Sequence, residues 1–153
     1  MTIQIDSREK ARAIKQIIGY FDSNGINHYT SKLFVGDYMS LDNPRIVIDR
    51  KQNLTELCGN VCQQHERFAA ELKRAQENGI KVVILCEHSR NIRSLEDVKK
   101  WVNPRLKTSP KAVSGEQLWK ILSTMGKRYN VDFIFCSKEQ TGRKIIEILG
   151  GST

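Results

Sequence analysis

The sequence lacks the features of secreted and membrane proteins. No apolar run approaches the ~20 residues of a membrane span, and residues 1–4 lack the charged and apolar regions of a signal peptide. Only four cysteines are present among 153 residues, and a chain of this length does not need disulfides, because one core can bury roughly 70% of its unfolded surface. We therefore expect a single cytoplasmic domain covering residues 1–153, with no membrane partner.

Acidic residues are scarce in the second half of the chain. Residues 88–153 carry 13 Lys and Arg against 6 Asp and Glu, whereas residues 1–87 are almost balanced, and the net charge is +8. Much of the excess lies in one basic stretch, made of Arg90, Arg93, Lys99, Lys100, Arg105, Lys107 and Lys111. A solvated face is the ordinary explanation, and a surface for the phosphate backbone of DNA is the alternative if a phosphodiesterase site lies nearby.

The most informative motif joins two aspartates and a lysine. Asp37 follows Gly36, and Asp49, Arg50 and Lys51 end the apolar run at residues 46–48. Alternation along a strand places Asp49 and Lys51 on one face and Arg50 on the other, so that Arg50 supports the fold or steadies a carboxylate. Carboxylates at the ends of adjacent strands bind Mg²⁺ through oxygen, and phosphodiester hydrolysis needs such a metal together with a nearby cation. The motif therefore predicts a metal-dependent nuclease site.

Two further carboxylates follow the first predicted strand, residues 3–5. Asp6 and Glu9 have the spacing of a helix N-cap and its capping-box partner, which predicts a helix from about Arg8. Taken alone, the spacing favours this structural interpretation. Both residues nevertheless lie at a strand end, where carboxylates can also join a metal site.

In their order along the chain, these motifs resemble the XPF-type nuclease domain, a branch of the restriction-endonuclease-like PD-(D/E)XK superfamily. The matching segments are IDSREK, GDYM, VIDRK and ERFAAEL within residues 3–87, with a looser match through VDFIFC to the C-terminus. The resemblance implies a Mg²⁺-dependent DNA endonuclease in which Mn²⁺ substitutes for Mg²⁺. It also implies roles for six residues, with Asp6, Glu9, Asp37 and Asp49 as metal ligands and Arg50 and Lys51 as a basic catalytic pair.

The sequence departs from the family pattern at three points. Asp49 stands where the family usually has Glu, a change that the wider superfamily allows. An Asp often follows the lysine by four residues, whereas this chain has Thr55 there and Glu56 next. Larger relatives also carry a helix-hairpin-helix pair, and nothing after Leu149 could encode one. Their preference for flaps or junctions therefore cannot be carried over from the resemblance.

The coarse pattern predicts an α/β fold of the restriction-endonuclease-like kind, with a mixed central sheet flanked by helices. Hydrophobic periodicity predicts helices at about 8–22, 54–78 and 141–149, and strands at about 3–5, 27–33, 37–41, 45–49, 81–86 and 131–136. The strands from 27 to 49 are expected to form an antiparallel meander. A basic insertion at about 90–128 precedes the last strand and contains two short helices, 94–102 and 115–125.

The expected partner is DNA, and the resemblance together with the small size indicates branched DNA: a flap, a fork or a Holliday junction processed in recombination or repair, as by phage and prophage enzymes in a host cytoplasm. Symmetric cutting of two strands would require a homodimer. The residues expected to bind DNA are Arg67, Arg105, Lys107 and Lys111.

Two alternatives come from other classes of protein. One is a catalytically inactive DNA-binding module of the same fold, which would be expected to have lost the carboxylates or the lysine. The other is a zinc-containing basic DNA-binding regulator built on Cys58, Cys62 and His65, which share a helix face. The same face carries apolar residues at helical spacing, so the cysteines also fit as small core residues.

Overall fold

A six-stranded sheet forms the centre of the computed structural model, which describes residues 1–150. The strands are β1 (Thr2–Ile5), β2 (Asn27–Thr30), β3 (Tyr38–Ser40), β4 (Asn43–Lys51), β5 (Lys81–His88) and β6 (Asp132–Ser137). The helices are α1 (Lys15–Ser23), α2 (Leu54–Cys62), α3 (His65–Glu77), α4 (Gly115–Tyr129) and α5 (Thr141–Gly150). The predicted mixed α/β sheet is therefore confirmed, with strand order β2-β1-β3-β4-β5-β6.

Strand direction brings the candidate residues to one edge of the sheet. β1 pairs with β2 in parallel, β4 with β5 in parallel and β5 with β6 in parallel, while β3 alone runs antiparallel to both of its neighbours. The carboxyl ends of five strands and the start of β3 consequently lie at the same edge. Residues that follow β1, precede β3 and end β4 meet there.

The predicted antiparallel meander is wrong for its first strand. β1 lies between β2 and β3 in the sheet, and β2 pairs with β1 in parallel. The short turn at Gly36 does not form a hairpin with β2, because Asp37 pairs instead with β1 and β4 through its backbone carbonyl and amide. Only β3 and β4 form the expected hairpin.

Two of the predicted helices also differ in the structure. The first begins at Lys15 and not at Arg8. The Asp6 carboxylate bonds Leu33 and Arg8, and the Glu9 carboxylate bonds Tyr38 and Arg50, so the two acids do not form the predicted capping box. The long predicted helix 54–78 is two helices, α2 and α3. The amide of Gln64 donates to the carbonyl of Gly59, five residues back, which interrupts the regular pattern of helical bonds.

The sheet has a core on each face. On one face, Val47 of β4 and Ile84 of β5 pack under α2, α3 and α4. On the other face, Ile48 of β4 and Leu85 of β5 pack under α1 and α5. This alternation along β4 and β5 continues to their carboxyl ends, so it decides which side of the sheet each candidate residue faces.

The basic insertion forms two 3-10 segments, Leu95–Lys100 and Pro104–Lys107, followed by α4. The first predicted short helix is therefore a 3-10 segment, and the second is longer than predicted. Leu118 and Leu122 of α4 join the core on its face of the sheet. Within residues 1–150, no helix combines the length and the hydrophobicity needed to cross a membrane.

Candidate active site

A tight turn fixes Asp37 against β4. Gly36 has a φ of +80°, and a Cβ built there would lie 3.0 Å from the Cβ of Val47, so both the conformation and the close approach require glycine. The amide of Asp37 donates to the carbonyl of Ile48 at 2.7 Å, and its carboxylate accepts the amide of Arg50 at 2.7 Å. The Asp37 carboxylate is thus held at the end of β4.

Asp49 and Lys51 lie next to it on the face of the sheet that carries α2 and α3. The ammonium of Lys51 is 3.1 Å from Oδ1 of Asp49 and 5.1 Å from the centre of the Phe68 ring. The Lys51 side chain is only 11% exposed. The positive charge of Lys51 therefore has a fixed position beside Asp49. A fixed cation can stabilise negative charge that develops in a reaction at this edge of the sheet.

The carboxylates at this edge are crowded. Burial raises the pKa of Asp37 well above its ordinary value, and the negative charges of Asp49 and Glu9 raise it further. Lys51 and the amide of Arg50 offset this only in part. Partly buried carboxylates with too little positive charge around them are suited to binding a divalent cation.

Arg50 faces the opposite side of the sheet and joins two acids there. Its Nε donates to Glu9 Oε2 at 2.7 Å, and its Nη1 bonds Oε1 of Glu87. The hydroxyl of Thr141, at the start of α5, donates to the other oxygen of Glu87 at 2.8 Å. Tyr38 donates to Glu9 at 2.6 Å. We call these five residues the Arg50 network.

The Arg50 network is almost fully enclosed. The side chains of Arg50 and Glu87 are 5% and 6% exposed. Burial alone would lower the pKa of Arg50, but the carboxylates of Glu9 and Glu87 outweigh burial and raise it. Arg50 therefore stays charged and binds both acids, while its backbone amide holds Asp37 on the other side of the strand.

Asp6 has a different set of partners. Its Oδ1 accepts the amide of Leu33 at 2.8 Å, and its Oδ2 accepts the amide and Nε of Arg8 at 3.2 and 2.6 Å. Burial would raise the pKa of Asp6, but these hydrogen bonds outweigh burial and lower it. The Oδ1 atom of Asp6 therefore joins the chain after β1 to the chain after β2, and its Oδ2 atom holds the turn at Arg8.

The four carboxylates predicted as metal ligands do not form one coordination sphere. Within residues 1–150, no three His, Cys, Asp or Glu side chains are arranged to hold a metal. Asp37 and Asp49 lie together, Glu9 is bound in the Arg50 network and Asp6 belongs to the turn after β1. Two carboxylates are nevertheless enough for Mg²⁺, which retains several waters and takes further oxygen ligands from phosphates.

Sequence reasoning missed Glu87 and Thr141. The available signal was a charged residue at the end of the otherwise apolar strand β5, where a buried carboxylate needs a partner. Glu56, one position after the place where the family often has an Asp, lies in the first turn of α2. Its amide donates to the side chain of Asn53, which caps that helix.

The zinc alternative gains no support from the geometry. The sulfur atoms of Cys58 and Cys62 are 4.0 Å apart, and Cys58 is buried beside Asn103. Burial and the neighbouring Cys62 raise the pKa of the Cys58 thiol to about 12. His65 is exposed and bonds the carbonyl of Val61 through Nδ1, so it is not a core histidine.

The residues predicted to bind DNA are all on the surface. Arg67 is exposed on α3, and Arg105, Lys107 and Lys111 are exposed in the loop before α4. The buried Asn103 closes this loop, because its amide donates to the carbonyl of Val113 at 2.9 Å and its oxygen accepts the amide of Arg105 at 3.0 Å. The loop therefore has a defined conformation in this structure.

Comparisons with known proteins identify the family and the fold of this chain. The sequence model of the ERCC4 domain family matches residues 5–148. The structure of XPF from Aeropyrum pernix superposes with a TM-score of 0.68 at 15% identity, covering 97% of this chain and 63% of that chain. The same protein in complex with DNA gives a TM-score of 0.64 at 16% identity, covering 94% and 60%.

The present chain thus spans less than two thirds of the length of these XPF chains. No curated protein sequence matches it. The structural likeness confirms the predicted fold. Because the family match extends over nearly the whole sequence, the chain belongs to the ERCC4 domain family.

Proposed function

We propose that this protein is a metal-dependent DNA endonuclease that hydrolyses phosphodiester bonds. The observation that carries the proposal is the pair of crowded carboxylates, Asp37 and Asp49, beside the enclosed ammonium of Lys51 at one edge of the sheet. An acid pair with an adjacent cation matches what hydrolysis of a phosphodiester requires. Membership of the ERCC4 domain family supports the same activity.

The residues that would hold the metal are Asp37 and Asp49. Mg²⁺ fits their oxygen atoms best, and Mn²⁺ should substitute for it. When bound, the ion would polarise a phosphoryl oxygen and lower the pKa of a water molecule. In place of the four predicted ligands, we propose two, with Glu9 and Asp6 acting on the structure around them.

Each remaining residue has a role that follows from its contacts. Lys51 would position the attacking water by donating from its ammonium, or take the proton of the water as the neutral amine, because its nitrogen lies beside Asp49 at the reacting edge. Arg50 would have a structural role. Its side chain lies on the face of the sheet opposite Lys51, and its backbone amide orients Asp37. Glu9 would keep Arg50 and Tyr38 in place, and Asp6 would fix the turn after β1.

Branched DNA is the proposed substrate, and recombination or repair is the proposed process. The basic surface of the insertion would bind the phosphate backbone through Arg105, Lys107 and Lys111, and Arg67 would add a contact from α3. The solved complex of the similar XPF protein with DNA supports DNA as the partner. Symmetric cutting of two strands would require a second copy of the chain.

The experiment compares cleavage of labelled linear, flap, fork and four-way DNA with Mg²⁺, Mn²⁺ and no divalent ion. We expect cleavage only with a divalent ion and faster cleavage of the branched substrates. Light scattering on the same samples gives the oligomeric state. DNA binding without cleavage of any substrate would contradict the proposed activity and would favour the inactive DNA-binding module.

A further inference from the structure

Three neighbouring cavities surround the loop that follows β5. They have volumes of about 680, 510 and 430 Å³. Ser89 lines all three, and Arg90 and Arg93 line both the first and the third. Since the cavities share these lining residues, they lie next to one another around this loop, and we call them together the post-β5 groove.

One end of the post-β5 groove reaches the candidate active site. The second cavity is lined by Arg50 and Glu87 of the Arg50 network, and by Gln52 and Asn53, which directly follow Lys51. A polymer that lies in the groove would therefore pass the carboxyl ends of β4 and β5, next to the strand end that carries Asp49 and Lys51. The Arg50 network marks the opposite face of the sheet from Asp49 and Lys51, so the groove adjoins the site and is not lined by its carboxylates.

The charge of the groove suits an anionic polymer. Six cations line it, namely Arg50, Arg90, Arg93, Lys100, Lys138 and Lys144. Arg50 is already bonded to Glu9 and Glu87, which leaves five. Two acids line it as well, and both are already bonded. Glu87 is held by Arg50, and Asp97 accepts the amide of Arg93 at 2.9 Å and lies 3.6 Å from Lys100.

Two of the cations have exposed acidic partners. Arg90 lies 3.3 Å from Glu139, and Lys144 lies 3.4 Å from Glu147. Exposed ion pairs of this kind contribute little in water, so the two cations can exchange a carboxylate for a phosphate at small cost.

The groove also offers an apolar surface. Val102 is 75% exposed, more than any other large hydrophobic side chain in residues 1–150, and it lines the first cavity beside the largely buried Trp101. Proteins that bind single-stranded nucleic acid combine a basic groove along the backbone with aromatic side chains on which the bases stack. In the post-β5 groove the exposed Val102 would supply the apolar contact for a base. In a duplex the base faces are stacked inside, and they cannot reach such a surface.

We propose that the post-β5 groove binds an unpaired DNA strand that leads to or from the scissile phosphate. The proposal rests on the proposed function and adds to it the part of the substrate that this side of the site recognises. Each cavity has the volume of a small-ligand site, which is enough for a nucleotide whose base is unstacked. The basic loop at residues 103–113 would remain for the paired part of the substrate.

The test measures the affinity of a thymidine oligonucleotide and of a linear duplex at several salt concentrations. All variants are made in an Asp49→Asn background without a divalent ion, so that cleavage does not interfere. The test variant is the double substitution Arg93→Gln and Lys100→Gln. The matched control is Lys120→Gln and Lys127→Gln, which removes the same charge from exposed positions on α4.

We expect the test variant to lose affinity for the single strand much more than for the duplex. Its slope of log K against log salt should flatten by about 1.4, because each phosphate contact on a single strand contributes about 0.7. Val102→Ser should weaken single-strand binding with no change in slope, since no charge is altered. Both variants should keep the melting temperature of the parent, because all three positions are exposed.

The proposal fails if test and control variants lose single-strand affinity equally, or if the test variant loses duplex affinity as strongly. It also fails if single-strand binding is unchanged. These outcomes are separate from the proposed activity, which is measured as cleavage by the chain with Asp49 intact. Cleavage that persists alongside normal single-strand binding by the groove variants would overturn the groove alone.

Discussion

The guanidinium of Arg50 bonds the carboxylate of Glu87 on one face of the sheet while the backbone amide of Arg50 bonds the carboxylate of Asp37 at the other. One residue therefore joins the interior under α5 to the candidate metal ligands. The side chain of Arg50 binds Glu9 and Glu87, whereas its backbone amide binds Asp37. A substitution of Arg50 would remove the first set of bonds and keep the amide that bonds Asp37.

Asp49→Asn and Asp37→Asn should each abolish cleavage while leaving DNA affinity and the melting temperature close to those of the parent. Asn keeps the shape of the side chain and an oxygen for the Arg50 amide, but it removes the charge that would bind the metal. The measurement is turnover with saturating Mg²⁺. Asp42→Asn, at an exposed position of the hairpin after β3, is the control and should cleave normally. Normal turnover in either active-site variant would falsify the ligand assignment.

Lys51→Ala should reduce the cleavage rate by at least ~100-fold, the scale of a lost acid-base or charge-stabilising group. Calorimetric titration should show that the divalent ion still binds. Lys81→Ala is the matched control, because Lys81 pairs with Asp132 at the opposite end of the sheet. If Lys51→Ala cleaves at the normal rate, the lysine only neutralises Asp49 and has no part in the reaction.

Glu87→Gln should lower the free energy of unfolding by on the order of 3 kcal/mol, the usual effect of removing one partner of a buried ion pair. The cause is that the enclosed guanidinium of Arg50 loses one of its two acids. Chemical denaturation measures the change. Glu139→Gln, which breaks the exposed pair with Arg90, should change stability little. Equal effects of the two substitutions would mean that the Arg50 network contributes no more than a surface pair.

Asp6→Asn should destabilise the fold at neutral pH by about 1.5–3 kcal/mol, because an amide nitrogen cannot accept the bonds that Arg8 donates. The pKa of Asp6 is lowered in the folded state from an ordinary value of 3.8. Its contribution is therefore present above about pH 4 and is lost as the pH falls through the folded value.

The difference in stability between parent and Asp6→Asn should accordingly shrink below about pH 4, as measured by denaturation at a series of pH values. Loss of cleavage with unchanged stability would instead identify Asp6 as a metal ligand, as the family resemblance implied.

Neutralising Arg105, Lys107 and Lys111 together should weaken binding to a four-way junction and to a linear duplex alike. Phosphate contacts carry little sequence information, and each one lost lowers the slope of log K against log salt by about 0.9 on duplex DNA. A triple substitution of the exposed Lys15, Lys120 and Lys127 is the control. An unchanged slope would show that this loop does not contact DNA.

Much of the site was predictable because it depends on strand ends. The alternation of Asp49, Arg50 and Lys51 predicted two faces from the sequence, and those residues occupy two faces. The motif itself supplied Asp37, and the family resemblance added a role for Glu9, but neither could assign the partners of these residues. Those partners come from long-range contacts, such as Glu9 with Arg50, that no local pattern encodes.

The errors have the same origin. The spacing of Asp6 and Glu9 predicted a capping box, but hydrogen bonds to Leu33, Tyr38 and Arg50 override that local preference. Turn signals around Gly36 predicted a hairpin with β2, whereas sheet order is decided by which strands bury their faces together. Glu87 lay outside the known motif, so only its burial beside Arg50 reveals its role.

The antiparallel direction of β3 determines which changes in length the site would tolerate. Asp37 precedes β3 and Asp49 lies near the end of β4, so the pairing of Tyr38 with Ile48 sets the position of one carboxylate relative to the other. The hairpin between the two strands turns at the far end, near Leu41 and Asp42. The twelve-residue interval between the aspartates is thus incidental to the chemistry. Relatives with longer or shorter hairpins can preserve the same pair of carboxylates, and this hairpin is the natural place to insert a tag or a reporter domain.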